Sequence, residues 1–182
     1  MKGQKEIEAR WLNLDPKKVL EDLGKIGAKK EGSFFFKEWI FFHPEWRKDN
    51  RRIRVRTDGT KSWVTYKANA TWAVDSTQEI EVEVSDAGES VALIKAIGVP
   101  LIRYQEKKRD TFAFDGITFD MDLWPKIPMV LEIEGPSEDK VREGASKLGL
   151  KWEDAVFVDQ AYVHRDYYGL DIFNVSDYRF EA

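Results

Sequence analysis

The chain has 182 residues, 42% of them hydrophobic and 34% charged, with a formal net charge of −4. That length supports one domain with a real core, and the charge lacks the basic excess of a duplex-binding protein. There are no cysteines and only two histidines, which excludes disulfides, zinc ribbons, thiol catalysis and a histidine-rich metal centre.

Met1 to Arg10 holds no apolar stretch of signal-peptide length, and no apolar run reaches bilayer length. The expectation is one globular domain over residues 1–182, in the cytoplasm. Lys5 to Leu14 alternates, with Glu6, Glu8 and Arg10 on one side and Ile7, Ala9 and Trp11 on the other, which is a strand period. Asp15-Pro16 opens a helix with an acidic N-cap and proline at the first helical position. Val19, Leu20, Leu23 and Ile26 give it an apolar stripe, and Gly27 can end it.

Phe34 to Phe42 is aromatic and β-prone, and Pro44 to Asn50 reads as a loop. Arg51 to Arg56 and Lys61 to Ala68 flank Asp58-Gly59, a hairpin signal. Thr77 to Ser85 alternates strictly, setting Glu79, Glu81 and Glu83 against Ile80, Val82 and Val84. A helix is expected from roughly Gly88 to Ile97, burying Val91, Ala92 and Ile94. Val99 to Phe114 and Ile117 to Leu123 make a second hairpin around Asp115-Gly116, and Met129 to Glu134 a last strand. Pro136 and Ser137 open a third helix ending near Gly149. An acidic turn, a helix near Asp159 to Tyr168 and a short tail follow. Strands joined by tight turns imply an antiparallel α+β fold, and about eight strands are enough to close a barrel.

One face of each strand is charged. The first offers Glu6, Glu8 and Arg10; later ones offer Arg52, Arg54 and Arg56, then Thr65 and Lys67, then Glu79, Glu81 and Glu83. Lys107 and Arg109, Asp120 and Asp122, and Glu132 and Glu134 complete the set. A half-exposed sheet carries charge on its wet face, but here most strands hold nearly one sign, and like charges set close together repel. The opposite faces are bulky and apolar, with helices available to cover them. A sheet closed with its charges inward needs a ligand to compensate them. Arginines and lysines suit a polyanion rich in oxygen. Clustered Asp and Glu suit Mg²⁺ or Mn²⁺. A metal-bound polyphosphate satisfies both.

Glu6-Ile7-Glu8-Ala9-Arg10 resembles the N-terminal ExExK signature of the CYTH proteins, the triphosphate tunnel metalloenzymes, which include class IV adenylate cyclases, thiamine triphosphatases and inorganic triphosphatases. Arg52-Ile53-Arg54-Val55-Arg56 resembles the family's RxR strand, Lys67 its next lysine, and Glu79-Ile80-Glu81 its ExE strand. Lys107-Lys108-Arg109 resembles KxR, Asp122 before Leu123-Trp124-Pro125 the acidic strand, and Leu131-Glu132-Ile133-Glu134-Gly135 the final LEIEG strand.

The resemblance implies an eight-stranded antiparallel β-barrel with flanking helices and a triphosphate tunnel. It implies metal binding by Glu6, Glu8, Asp122, Glu132 and Glu134, with Glu81 a further candidate, and Mg²⁺ or Mn²⁺ as cofactor. Arg54, Arg56, Lys67, Lys107 and Arg109 would hold the triphosphate, and Lys67, Glu81 and Arg10 are the catalytic candidates. Arg10 stands where the signature has lysine; it keeps the charge but cannot transfer a proton at neutral pH. The second strand lacks the tyrosine that relatives often carry. The expected function is a metal-dependent triphosphate hydrolase acting on inorganic triphosphate, thiamine triphosphate or a nucleoside triphosphate. Alternatives are a class IV adenylate cyclase and a non-catalytic polyphosphate or nucleotide-binding protein. The expected partner is a triphosphate-bearing small molecule, with no nucleic acid and no membrane; a homodimer is admitted. No segment obviously reads adenine, which favours hydrolysis.

His43 reads as a turn residue and His164 as solvated or capping. Phe34, Phe35, Phe36 and Trp39 read as barrel exterior. Arg103 is a further candidate for the basic lining.

Overall fold

The computed structural model describes residues 4–49, 51–69 and 77–181. In chain order it has β1 (Gln4–Glu6), β2 (Glu8–Trp11), α1 (Pro16–Ile26), β3 (Lys29–Phe41), β4 (Arg52–Thr57), β5 (Ser62–Asn69) and β6 (Thr77–Val84). Then follow α2 (Ala87–Ala96), β7 (Leu101–Phe114), β8 (Ile117–Leu123), β9 (Val130–Glu134), α3 (Glu138–Lys147), α4 (Gln160–Tyr168) and β10 (Asp177–Tyr178).

Local chemistry sets the boundaries. The Asp15 side chain accepts the Lys17 N–H at 2.9 Å, and Gly27 ends α1 at φ 79°, a left-handed conformation that glycine adopts without a Cβ clash. Asp86 and Ser137 cap α2 and α3 in the same way, accepting from Glu89 and Lys140 at 2.7 and 3.2 Å. Asp115 and Gly116 both take positive φ, 50° and 74°, as a two-residue hairpin turn between twisted strands requires.

The sheet runs β1-β6-β5-β4-β3-β7-β8-β9-β2 and is antiparallel along this whole path. β1 and β2 belong to one segment that changes partner at Ile7. Its first part pairs with β6, Glu6 opposite Thr77, and its second with β9, Glu8 opposite Glu134. The two edges of the curled, eight-stranded sheet therefore meet on the N-terminal segment, which removes the open edge that would template aggregation.

Three apolar clusters coat the outside. α1 and α3 cover β2, β8 and β9 around Trp11, Leu23, Phe119 and Ile133. α2 covers β3 and β4 around Phe41, Val55 and Ile94. The chain after α4 packs Ile172 and Tyr178 against Trp124 and Val130.

Several expectations are corrected. Ile94 is buried as expected and Val91 half-buried, but Ala92 is exposed and Ala87 is buried in its place, because α2 lies on the sheet by a narrow stripe. Pro44 to Asp49 is a short 3₁₀ turn, and the tail is ordered by β10, which pairs in parallel with β7. His164 is fully buried, its ring edge-on to Trp124 at 5.5 Å and to Tyr178 at 5.3 Å. Phe36 is on the inner face, for it shares the parity of Glu38 and contacts Arg56 and Lys107.

Candidate functional site

The inner face of the sheet bounds a cavity of about 900 Å³. The alternation of each strand places its charged residues there. Glu8, Arg10, Arg54, Arg56, Lys67, Glu81, Lys107, Arg109, Asp122, Glu132 and Glu134 all line it. The Glu6 side chain lies outside the described residues. Register arranges the lining in rungs. Arg52 stands opposite Lys67, which stands opposite Glu79; Arg54 opposite Thr65, opposite Glu81; Arg10 opposite Glu132, opposite Asp120. Glu83 falls off this set: it pairs with Lys61 at 3.1 Å, both side chains more than half exposed.

The basic groups fall into two populations. Arg10 and Arg109 are tightly engaged by carboxylates. Arg10 Nη2 lies 2.5 Å from Glu8 Oε1 and 2.7 Å from Glu132 Oε2. Arg109 forks onto Asp122 at 2.5 and 2.6 Å, reaches Glu132 at 3.0 Å and also holds Asp120. Burial opposes their charge, but these carboxylates more than offset it, so both guanidinium groups hold their protons more firmly than usual. Arg54 and Arg56 are held loosely, with Nη2 at 3.6 and 3.4 Å from Glu81 Oε2. The Arg56 guanidinium is stacked between Phe36 at 4.7 Å and Trp63 at 5.1 Å. Burial and the neighbouring Arg54 bring its pKa down to about 10. Lys107 is likewise pushed down, first by burial and then by Arg109. Lys107 keeps Asp122 at 3.2 Å, and both Arg56 and Lys107 are buried beside like charge, which a polyanion would relieve.

The acidic groups show why arginine sits among them. Glu8 and Glu134 stand directly opposite on neighbouring strands, an arrangement that repels unless a cation lies nearby. Glu132 is buried; burial raises its pKa, and Arg10, Arg109, Lys107 and Lys67 reverse this and hold it well below the usual range. Among the described residues no three carboxylates, histidines or cysteines converge as a ready metal site. Arg10 and Arg109 engage the oxygens of Glu8, Asp120, Asp122 and Glu132. The donors themselves, all carboxylate oxygens on adjacent strands, fit a hard divalent cation.

Two parts of the site lie beyond the sequence expectations. Glu38 on β3 is 1% exposed. Burial pushes its carboxyl up, but Arg54, Lys107 and Arg56 outweigh that and bring its pKa down to about 2. Its Oε2 accepts from Gln105 Nε2 at 2.6 Å, and Gln105 Oε1 accepts from Arg103 Nε at 2.6 Å. The only sequence signal for Glu38 was its shared parity with Phe36 and Ile40. The second part is the C-terminal segment. Asp159 caps α4 through Ala161 N–H at 3.1 Å and also pairs with Arg52. Arg103 Nη1 donates to the Ile172 carbonyl at 2.7 Å. These contacts lay α4 and the following turn across one mouth of the cavity.

Known proteins share this architecture. The PH1012 protein from Pyrococcus horikoshii OT3 superposes with a TM-score of 0.74 at 25% identity, covering 85% of this chain and 96% of that one. A conserved hypothetical protein from Pyrococcus furiosus gives 0.74 at 22% identity, covering 85% and 97%. HpAC1 from Hippeastrum, named as an adenylyl cyclase and described as having a dominant triphosphatase activity, gives 0.62 at 13% identity, covering 92% and 97%. A comparison with curated protein sequences found no match. The CYTH domain model matches residues 4–156, most of the sequence, and the chain belongs to the CYTH domain family.

Proposed function

We propose that this protein is a divalent-metal-dependent hydrolase of a triphosphate substrate bound in the cavity. The observation that carries this reading is the division of the cations. Arg10 and Arg109 are closely engaged by carboxylates, whereas Arg56 lies 3.4 Å from Glu81 and is stacked between the Phe36 and Trp63 rings, a looser hold that leaves it able to take new oxygens.

Arg54, Arg56, Lys67, Lys107 and Arg109 would clamp the phosphate oxygens, Arg54 and Arg56 through forked N–H pairs. Glu8, Asp122, Glu132 and Glu134 would hold Mg²⁺ or Mn²⁺, with Glu6 continuing the same alternation. Bound there, the metal would neutralise phosphate charge and polarise the phosphoryl group. Glu8 and Glu132 would then hold the cation in place of Arg10, and Arg109 would be able to offer part of its fork to phosphate. The resting ion pairs thus keep the carboxylates compensated without closing the site.

Glu81 is the best-placed carboxylate to orient an attacking water. Its side chain is 30% exposed, and its Oε2 accepts from Thr65 Oγ1 at 2.7 Å beside Arg54 and Arg56. Lys67, paired with Glu79, supplies a proton donor towards the departing phosphate. Arg10 stays charged throughout and serves by compensating Glu8 and Glu132 before metal binds. The basic lining would stabilise charge developing at the transferred group.

The test is turnover of tripolyphosphate, thiamine triphosphate and ATP with Mg²⁺ or Mn²⁺, assaying released phosphate and cyclic AMP. Metal-dependent phosphate release that disappears in Glu8→Gln supports the hydrolase. Cyclic AMP with pyrophosphate makes the protein a cyclase instead. Binding without either product leaves a sensor.

A further inference from the structure

Glu38 is a buried carboxylate in a wall of cations, and its two oxygens are treated unequally. It stands opposite Arg56 on β4 and opposite Gln105 on β7. Its Oε2 accepts from Gln105 Nε2 at 2.6 Å. Its Oε1 is buried and accepts no hydrogen bond among the described residues; the Arg54 Nη1 lies 3.7 Å away. A guanidinium and a carboxylate in direct contact sit about 2.7–2.9 Å apart, and Arg54 leads the cations that keep Glu38 ionised. Attraction draws the two together, yet they stand apart with a carboxylate oxygen unsatisfied. A buried polar atom left in that state needs a physical cause.

Gln105 supplies the cause. An amide side chain donates at one end and accepts at the other, and Gln105 uses both. While Nε2 holds Glu38, Oε1 accepts from Arg103 Nε at 2.6 Å, and Arg103 Nη1 donates to the Ile172 carbonyl at 2.7 Å. Ile172 is core, packed with Trp124, Val130 and Tyr178. The amide is therefore tied to a fixed point and does not follow Glu38 towards Arg54. Glu38, Gln105 and Arg103 are all buried, so these bonds form at low dielectric, where each is strong. Phe36 and Ile40, the neighbours of Glu38 on its own face of β3, offer it no donor.

The consequence falls on Arg54. A carboxylate closed onto a guanidinium occupies the fork that phosphate oxygens would take, and phosphate would have to displace it. We propose that Gln105 is a positioning residue of the anion site: its amide holds the buried Glu38 carboxylate back from Arg54, so that Arg54 meets phosphate without first giving up a closed ion pair. This rests on the reading of the cavity as a triphosphate site, and the experiment separates the two.

The experiment measures calorimetric affinities for tripolyphosphate without metal in the wild type, Gln105→Met, Glu38→Gln and the double variant. Gln105→Met keeps the length of the side chain and removes both hydrogen bonds, so Glu38 closes on Arg54. Affinity is expected to fall about tenfold, the scale of one charged hydrogen bond. Glu38→Gln is expected to bind at least as tightly as the wild type, and the double variant to match Glu38→Gln, because no charge is then left to close on Arg54. With turnover, the loss in Gln105→Met should appear in KM and not in kcat. Unchanged affinity in Gln105→Met, or the same loss with and without Glu38, overturns the assignment. If the wild type binds no tripolyphosphate, the triphosphate reading fails by itself, and a melt without ligand decides the rest. Arg54→Ala should then lower Tm more in Gln105→Met than in the wild type, since a closed pair is lost; equal losses overturn the assignment. Gln105→Leu, equally unable to donate, repeats both tests should Gln105→Met fail to fold.

Discussion

Arg10 on β2 lies directly opposite Glu132 on β9, and its Nη2 is 2.7 Å from Glu132 Oε2 and 2.5 Å from Glu8 Oε1. One guanidinium thus compensates two carboxylates that the proposed function assigns to the metal. Removing it leaves both acids without that cation, which for a buried pair costs about 3–5 kcal/mol. Arg10→Ala should lose stability on this scale in a urea melt without metal. Added Mg²⁺ or Mn²⁺ should recover more stability in the variant than in the wild type, because the ion then has no arginine to displace. Equal metal effects in both proteins would refute the exchange.

Arg54 lies 3.6 Å from Glu81 and 3.7 Å from Glu38, and is first among the cations that keep the buried Glu38 ionised. Arg54→Ala should therefore cost stability, because Glu38 loses its leading cation, and should lower kcat/KM by about 10²–10³, the usual loss when one donor to a developing anion is removed. Steady-state kinetics beside a thermal melt separates the two. A large drop in Tm with unchanged turnover would make Arg54 structural.

Glu38 carries a pH signature. Its carboxyl has a pKa of about 2 in the fold against 4.5 for the ordinary group. A depressed pKa stabilises the fold above the unfolded value, and that stability is lost as pH falls from about 4.5 through about 2. The linked contribution is on the order of 3 kcal/mol. Stability measured by denaturant from pH 6 to roughly 2 should fall less steeply in Glu38→Gln. Superimposable slopes would count against the buried ion cluster.

Gly144 on α3 tests the helix-to-sheet contact. A Cβ there would lie 3.1 Å from Ile117 Cγ2 and 3.2 Å from both Ile133 Cγ2 and Phe119 Cζ. All three neighbours are fully buried and have no room to retreat. Gly144→Ala gains about 1 kcal/mol of helix propensity, but overpacking costs about 1–3 kcal/mol. The expected outcome is a net loss of roughly 1 kcal/mol, read from the urea midpoint. A more stable variant would show that α3 sits further from the sheet.

Much of this was legible in the chain itself. Asp15-Pro16, Asp86, Ser137 and Gly27 act within a few residues, so helix starts and stops can be read locally. The period of two in β4, β6 and β9 put Arg54, Arg56, Glu81 and Glu132 on one face before any partner was known. Asp58-Gly59 and Asp115-Gly116 fixed which neighbours pair.

What a strand period cannot say is which face becomes the inside, or what stands across from it. Phe36 looked like exterior because it is aromatic; its inward place follows from the parity it shares with Glu38 on a closed sheet. Glu38 looked ordinary because the cations that hold its charge come from β4 and β7, distant in sequence. Asp159 and Ile172 entered the site only through Arg52 and Arg103. The alternation and order of charges thus determined the lining, the turns and the family. Tertiary structure decided which acids are neutralised by arginine and which arginines are held closely or loosely, because Coulomb interactions depend on separation in space and not along the chain.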